Sequence, residues 1–200
     1  MGKIELKMED IRVELLTKEN SFYLKNFRSL VCKELEDFLK ENAWREQEID
    51  FSRTYLFFHG DILAGYVTLL TDKQPLKHDY PHPSLTIFQE KVDGAYSSVP
   101  GLKIGRICVA DNYNSRLEAA QYKGLGTIMF TVVLDHAKSL AIKVGCRVIT
   151  SHAKKSTGAY SWYKTLGFQF SNKDEKVKEL LAREDCESIP MFYDIRRIVN

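Results

Sequence analysis

The chain has 200 residues, 44% of them hydrophobic and 28% charged, enough to bury a sizeable core and ordinary for a globular chain. Its 29 basic and 27 acidic residues leave a formal charge of +2, so no overall field draws it to nucleic acid or to an anionic membrane. Local patches stay open.

Four cysteines, Cys32, Cys108, Cys146 and Cys186, stand far apart, with no CxxC pair and no zinc-type spacing. They read as reduced and mostly buried, which fits a cytoplasmic protein. The opening "MGKIELKMED" has no apolar signal-like region, and Leu6 stands where a myristoylation signal wants Ser or Thr. No apolar run of transmembrane length is expected.

In chain order, "IRVELLT" alternates as a strand, and Phe27, Leu30, Val31, Leu35, Phe38 and Leu39 then recur at helical spacing, one helix or two. "RTYLFFHGDILAGYVTLL" reads as two strands joined by His59-Gly60-Asp61, a hairpin over residues 55–70. From Thr71 to Pro100 periodicity dissolves into a long proline-bearing connection, with "SLTIF" as a candidate short strand and with His78 and His82 expected to be solvated. "GLKIGRICVAD" is again a strand, with a phase slip at Gly105 that predicts a β-bulge.

The most periodic helix runs from Leu125 to Val144 and is stopped by Gly145. His136, on its apolar face, reads as a core histidine. "CRVITS" is expected as a strand parallel to the one before the helix. A helix from Ser156, its N-cap, to Leu166 follows, with Gly167 as C′ residue. "FQF" and "MFYDIRRI" supply the last strands around the charged, helix-prone segment from Lys173 to Glu184. The order predicts one α/β domain, residues 1–200, with a mixed sheet.

"QYKGLG", Gln121 to Gly126, stands between a strand and a helix. The first helical turn leaves N–H groups unpaired at the positive end of the macrodipole, so an anion fits there. Gly124 and Gly126 would admit a diphosphate to the backbone, and Lys123 and Thr127 could add donors. The same residues are also compatible with the end of a surface loop. Neither a Walker A nor a GxGxxG pattern is present; Met129 stands where the latter needs its third glycine.

"QYKGLG" after a strand resembles the Q/R-x-x-G-x-G/A acetyl-CoA motif of the GNAT N-acetyltransferase superfamily. "STGAYSWYKTLGFQF" is similar to that family's N-x-x-A-x-x-x-Y-x-x-x-G-F signature, with Ala159, Tyr163, Gly167 and Phe168 in register. With the hairpin, the likeness spans residues 11–195. It implies a single-domain GNAT fold: a mostly antiparallel mixed sheet splayed at a β-bulge and flanked by helices. It implies that Gln121, Tyr122, Lys123, Gly124, Leu125, Gly126 and Thr127 hold the CoA diphosphate. Ile107, Cys108 and Val109 would meet the pantetheine arm, with a strand amide stabilising the oxyanion.

Tyr163 matches the family's general acid, although Ala159, Trp162, Tyr163 and Leu166 also form a stripe suited to core packing. Ser156 stands where the family often has Asn at the cofactor. For the general base, Asp111 is the candidate ahead of His59 and Tyr66. "DNYNSRLEAA" is longer than the family's usual connection: a cofactor or partner surface, or a neutral loop.

The resemblance implies acetyl-CoA as co-substrate, no metal, and an amine-bearing acceptor, whether small molecule, protein or charged tRNA. "VPGLKIGRICVADNY", "WYKTLGF" and "MFYDIRRI" are similar to GNAT toxins acting on charged tRNA, which usually carry basic surfaces. The alternative from another class is a CoA-binding or interaction module without turnover. Exposed terminal strands are compatible with a homodimer.

Overall fold

The computed structural model of the chain describes residues 2–76, Leu85 and 96–196. The candidate strand "SLTIF", apart from Leu85, and both His78 and His82 lie outside the described residues. By internal contacts the chain divides into two compact units, Met1–Leu70 with Ile104–Val133, and Thr71–Lys103 with Leu134–Asn200.

The first unit opens with β1 (Ile4–Glu5), a 3-10 turn and β2 (Ile11–Leu15). Another 3-10 turn, Ser21–Asn26, precedes α1 (Lys33–Glu41) and α2 (Ala43–Glu48), which break at Asn42. The helix begins later than the apolar spacing predicts, and Leu30, 83% exposed, lies outside it. The reason is tertiary. Asp111 Oδ1 accepts the Leu30 amide at 2.7 Å, and Glu36 Oε2 accepts that of Ser29 at 3.0 Å, so both amides are held outside a helical ladder.

β3 (Arg53–His59) and β4 (Ile62–Pro75) form the predicted antiparallel hairpin, paired from Arg53↔Leu69 to His59↔Ile62 with a register shift between Phe57 and Phe58. From Leu63 to Leu69 β4 is buried without interruption, as a central strand covered on both faces must be. The core beneath joins Leu16, Phe27, Phe38, Leu39, Leu56, Phe58 and Tyr66.

β5 (Ser98–Val109) is continuous. Within it Val99, Leu102, Ile104 and Cys108 are buried, and Ile107 and Val109 half-buried. β6 (Tyr122–Lys123) pairs in parallel with β1 as a separate two-stranded ladder.

α3 (Leu125–Lys143) starts in the first unit and ends in the second, where Gly145 follows at φ 88°. Contrary to the expectation from sequence, its 19 residues are long and apolar enough, by length and composition alone, to cross a membrane. Leu125, Met129, Val133 and Ala137 are nevertheless fully buried at i, i+4 spacing, and Asp135 and Lys138 interrupt its apolar run, so it packs as a core helix.

In the second unit, β7 (Val148–Lys154), α4 (Ala159–Thr165), β8 (Gln169–Phe170), α5 (Asp174–Ala182) and β9 (Ser188–Asp194) follow. β7 and β8 both pair antiparallel with β9, and Leu85, Val99, Val148 and Phe192 form a core cluster. The sheet order is β2-β3-β4-β5-β7-β9-β8.

Candidate active site

Gln121 to Gly126 leave β6 for the first turn of α3 through Gly124, whose φ of +93° is a left-handed conformation that costs a side-chain-bearing residue about 1 kcal/mol. The amides of Thr127 and Ile128 close that turn on Gly124 O at 3.0 and 3.2 Å, so those of Leu125 and Gly126 stand ahead of it, at the helix's positive end. Gln121, Lys123 and Thr127 are exposed, Tyr122, Gly124 and Gly126 half-buried, and Leu125 anchors the segment in the core. The Lys123 ammonium sits 3.0 Å from Glu5 Oε2.

The extension before this motif is closed at its neck. The Gln121 amide is within 3.1 Å of both Asn112 O and Asn112 Oδ1, and Asn112 Nδ2 donates to Gln121 Oε1 at 3.4 Å. Its ends therefore meet, as in an Ω-loop. Tyr113 is buried and stacks on Tyr122 of the motif, centroids 5.0 Å apart and 13° from parallel. His59 lies edge-on to Tyr122, and its Nδ1 is 3.1 Å from Tyr113 Oη.

Upstream, Ile107, Cys108 and Val109 end β5. Burial pushes the Cys108 thiol up to about 12. Beyond the strand, the Ala110 amide donates to Ala64 O and that of Asp111 to Arg28 O. Besides holding Leu30, Asp111 opens the 3-10 turn Asp111–Tyr113. The other two base candidates are also committed: His59 to Tyr113, and Tyr66, fully buried, donating to Leu35 O at 2.6 Å.

In the second unit Tyr163, 3% exposed, sits on α4 between the rings of Trp162 and Phe168, at 4.9 and 4.8 Å. Its phenol oxygen accepts the Ser151 hydroxyl of β7 at 2.8 Å. Burial drives the phenol up to about 12, partly opposed by that hydrogen bond. Ser151, itself buried, carried no signal in the sequence, because its partner is supplied by folding.

Ser156 does not cap α4, in contrast to the expectation. It lies in a turn closed by Gly158 N–H on Lys155 O, and Gly158, at φ 61°, is the N-cap residue. The helix cannot start until the left-handed residue is passed. Its other end follows the sequence: the amides of Gly167 and Phe168 return to Lys164 O and Tyr163 O in a Schellman motif.

All four cysteines are free; Cys32 and Cys108 are buried, Cys146 and Cys186 half-exposed. His136 is half-buried, and desolvation lowers its pKa. Among the described residues no group of three or more His, Cys, Asp or Glu side chains gathers to hold a metal ion.

A seven-stranded sheet flanked by helices, with a glycine-marked helix start after β5 and a buried tyrosine on the helix after β7, is the α/β architecture that the GNAT resemblance implies. No family model matches the chain, and no curated protein matches it in sequence. Solved structures do match it in fold. A Tyr→Phe mutant of the toxin AtaT gives a TM-score of 0.69 at 17% identity, over 98% of this chain and 95% of that one. A Tyr→Phe mutant of KacT gives 0.69 at 21% identity, over 94% and 96%. AtaT complexed with acetyl-methionyl-tRNAfMet gives 0.67 at 20% identity, over 92% and 95%. At such identities the likeness establishes the fold, which is the GNAT fold that the two motifs imply.

Proposed function

We propose that the chain is an acetyl-CoA-dependent N-acetyltransferase. Solved neighbours that hold acetyl-CoA support this, among them AtaT bound to its antitoxin AtaR and acetyl-CoA. The observation that carries the reading is Tyr163. Because Ser151 donates to its oxygen, the phenol keeps its own proton for another acceptor, and burial keeps that proton on through neutral pH.

In this reading the Gln121–Thr127 segment takes the CoA diphosphate, and Ile107, Cys108 and Val109 take the pantetheine. The acceptor's amine nitrogen attacks the thioester carbonyl carbon, and a β5 amide bears the charge that develops on oxygen. Asp111, whose Oδ1 accepts the Leu30 amide, takes the amine's proton on Oδ2. As the C–S bond breaks, sulfur takes the proton of Tyr163. A free thiol, near 8.5, would be a poor match for a phenol near 12. Desolvation disfavours the thiolate, so a departing thiolate held away from water is a stronger base and takes the phenol's proton more readily.

A second reading concerns the acceptor. The +2 net charge is unevenly distributed: from His136 to Lys173 the sequence carries Lys138, Lys143, Arg147, Lys154, Lys155, Lys164 and Lys173 and no Asp or Glu. This acid-free run contains Tyr163, and with the complex of AtaT and acetyl-methionyl-tRNAfMet it favours the amino group of a charged tRNA over an isolated small amine.

Thiol release from acetyl-CoA, measured against a panel of primary amines and aminoacyl-tRNAs, tests both readings. Wild type should turn over at least one acceptor, and Tyr163→Phe should lower kcat on the order of 10²-fold or more with CoA affinity retained. CoA binding without turnover of any acceptor would favour the non-catalytic module. Absence of CoA binding would exclude both.

A further inference from the structure

The first residues of the chain run along the motif that the proposed function gives to the diphosphate. Ile4 pairs with Tyr122 and Glu5 with Lys123 in a parallel ladder. The Ile4 amide donates to Gln121 O at 2.8 Å and that of Leu6 to Lys123 O at 3.0 Å. In a parallel ladder alternate residues turn their amides to the partner strand, so those of Tyr122 and Gly124 face away from β1. Leu6, buried, ends this contact; its carbonyl oxygen lies 3.5 Å from where a Cβ on Gly124 would be.

Two side chains extend the contact. Glu5 holds the Lys123 ammonium at 3.0 Å. Lys3 Nζ donates to the carbonyls of Ser115 and Leu117 at 2.6 and 2.7 Å, joining the same arm to the Ω-loop whose neck ends at Gln121. Gln121 to Gly124 are therefore fixed on one flank by Lys3–Leu6, from upstream by the Asn112–Gln121 closure and from downstream by the first turn of α3. A loop that must present backbone amides to a diphosphate gains affinity when it is ordered beforehand.

We infer that Lys3–Leu6 form a strap that positions Gln121–Gly126, with Ile4 and Lys3 as positioning residues for CoA binding. This rests on the proposed assignment of the diphosphate to that segment. It also gives the long connection after β5 a task, since the strap is anchored on it.

Ile4→Pro tests the strap, because proline lacks the N–H that Ile4 donates to Gln121 and the lost side chain is 60% exposed. Affinity for CoA and for pantetheine, which lacks the diphosphate, is measured by calorimetry, with competition for the weaker ligand. The expected result is CoA affinity reduced about tenfold and pantetheine affinity unchanged. Lys3→Ala, which keeps the ladder, should weaken CoA in the same direction by about threefold and covers the case in which Ile4→Pro does not fold. Equal loss for both ligands, or no loss for either, overturns the strap. Wild type that binds CoA no better than pantetheine overturns the diphosphate assignment instead, and the strap with it.

Discussion

Glu36 is a carboxylate buried within α1 and kept ionised. It is 5% exposed, yet Lys40 lies 2.6 Å away, Lys33 3.1 Å and Arg28 3.6 Å, and the Ser29 amide donates to its other oxygen. The Lys40 contact, then the Ser29 amide, lower its pKa from 4.5 to about 2, against the opposing effect of burial. A folded-state value below the unfolded one stabilises the fold above about pH 4.5, and that contribution is lost as pH falls toward 2. The urea midpoint of wild type should therefore drop between pH 5 and pH 2. Glu36→Gln should cost about 1–2 kcal/mol at neutral pH and much less at pH 3. Equal pH dependence in the two proteins would show that Glu36 contributes nothing to it. No sequence pattern announced this residue or Ser151, because each owes its importance to a partner brought up by the fold.

Elements were legible where their periodicity was local. The β3–β4 hairpin and α3 lie where alternation and i, i+4 spacing put them, and "QYKGLG" is contiguous, so it could be read directly. Two readings failed and one element was missed, each for a physical reason. Apolar spacing over residues 27–31 was overridden by Asp111 and Glu36, Ser156 was preceded in importance by the left-handed Gly158, and β1 is too short to signal itself. β4 adds a constraint that sequence showed only as a glycine. A Cβ on Gly65 would lie 2.9 Å from Met129 Sδ and 3.0 Å from Cys108 O. The thioether can swing aside, but the β5 carbonyl is fixed by its strand. Gly65→Ala should destabilise the protein by about 1–3 kcal/mol in urea denaturation. Gly105→Ala meets only the flexible end of Leu70 at 2.8 Å, with Thr68 O at 3.5 Å, and should cost clearly less. Equal costs would mean that β4 and β5 can separate freely at Gly65.

At the scale of the whole chain, a net charge of +2 conceals the acid-free run from His136 to Lys173. Lys138, Lys143 and Lys164 of that run are exposed, whereas Arg147 pairs with Asp194 at 2.7 Å and Lys155 donates to the carbonyls of Leu180 and Arg183. Exposed lysines can neutralise phosphates, and each phosphate neutralised steepens the fall of affinity with salt. A small amine offers no phosphates, so its use should respond far less. Reversing Lys143 and Lys164 together to Glu separates the two acceptor classes. If charged tRNA is the acceptor, kcat/KM for it should fall about tenfold at 0.1 M salt, and its dependence on salt should flatten. Turnover of a small primary amine by the same variant should stay within about twofold of wild type, since neither lysine belongs to the proposed catalytic or CoA-binding set. A loss shared equally by both acceptors would indicate damage to the fold or the cofactor site, and an unchanged rate with tRNA would remove the acid-free run from the acceptor's binding surface.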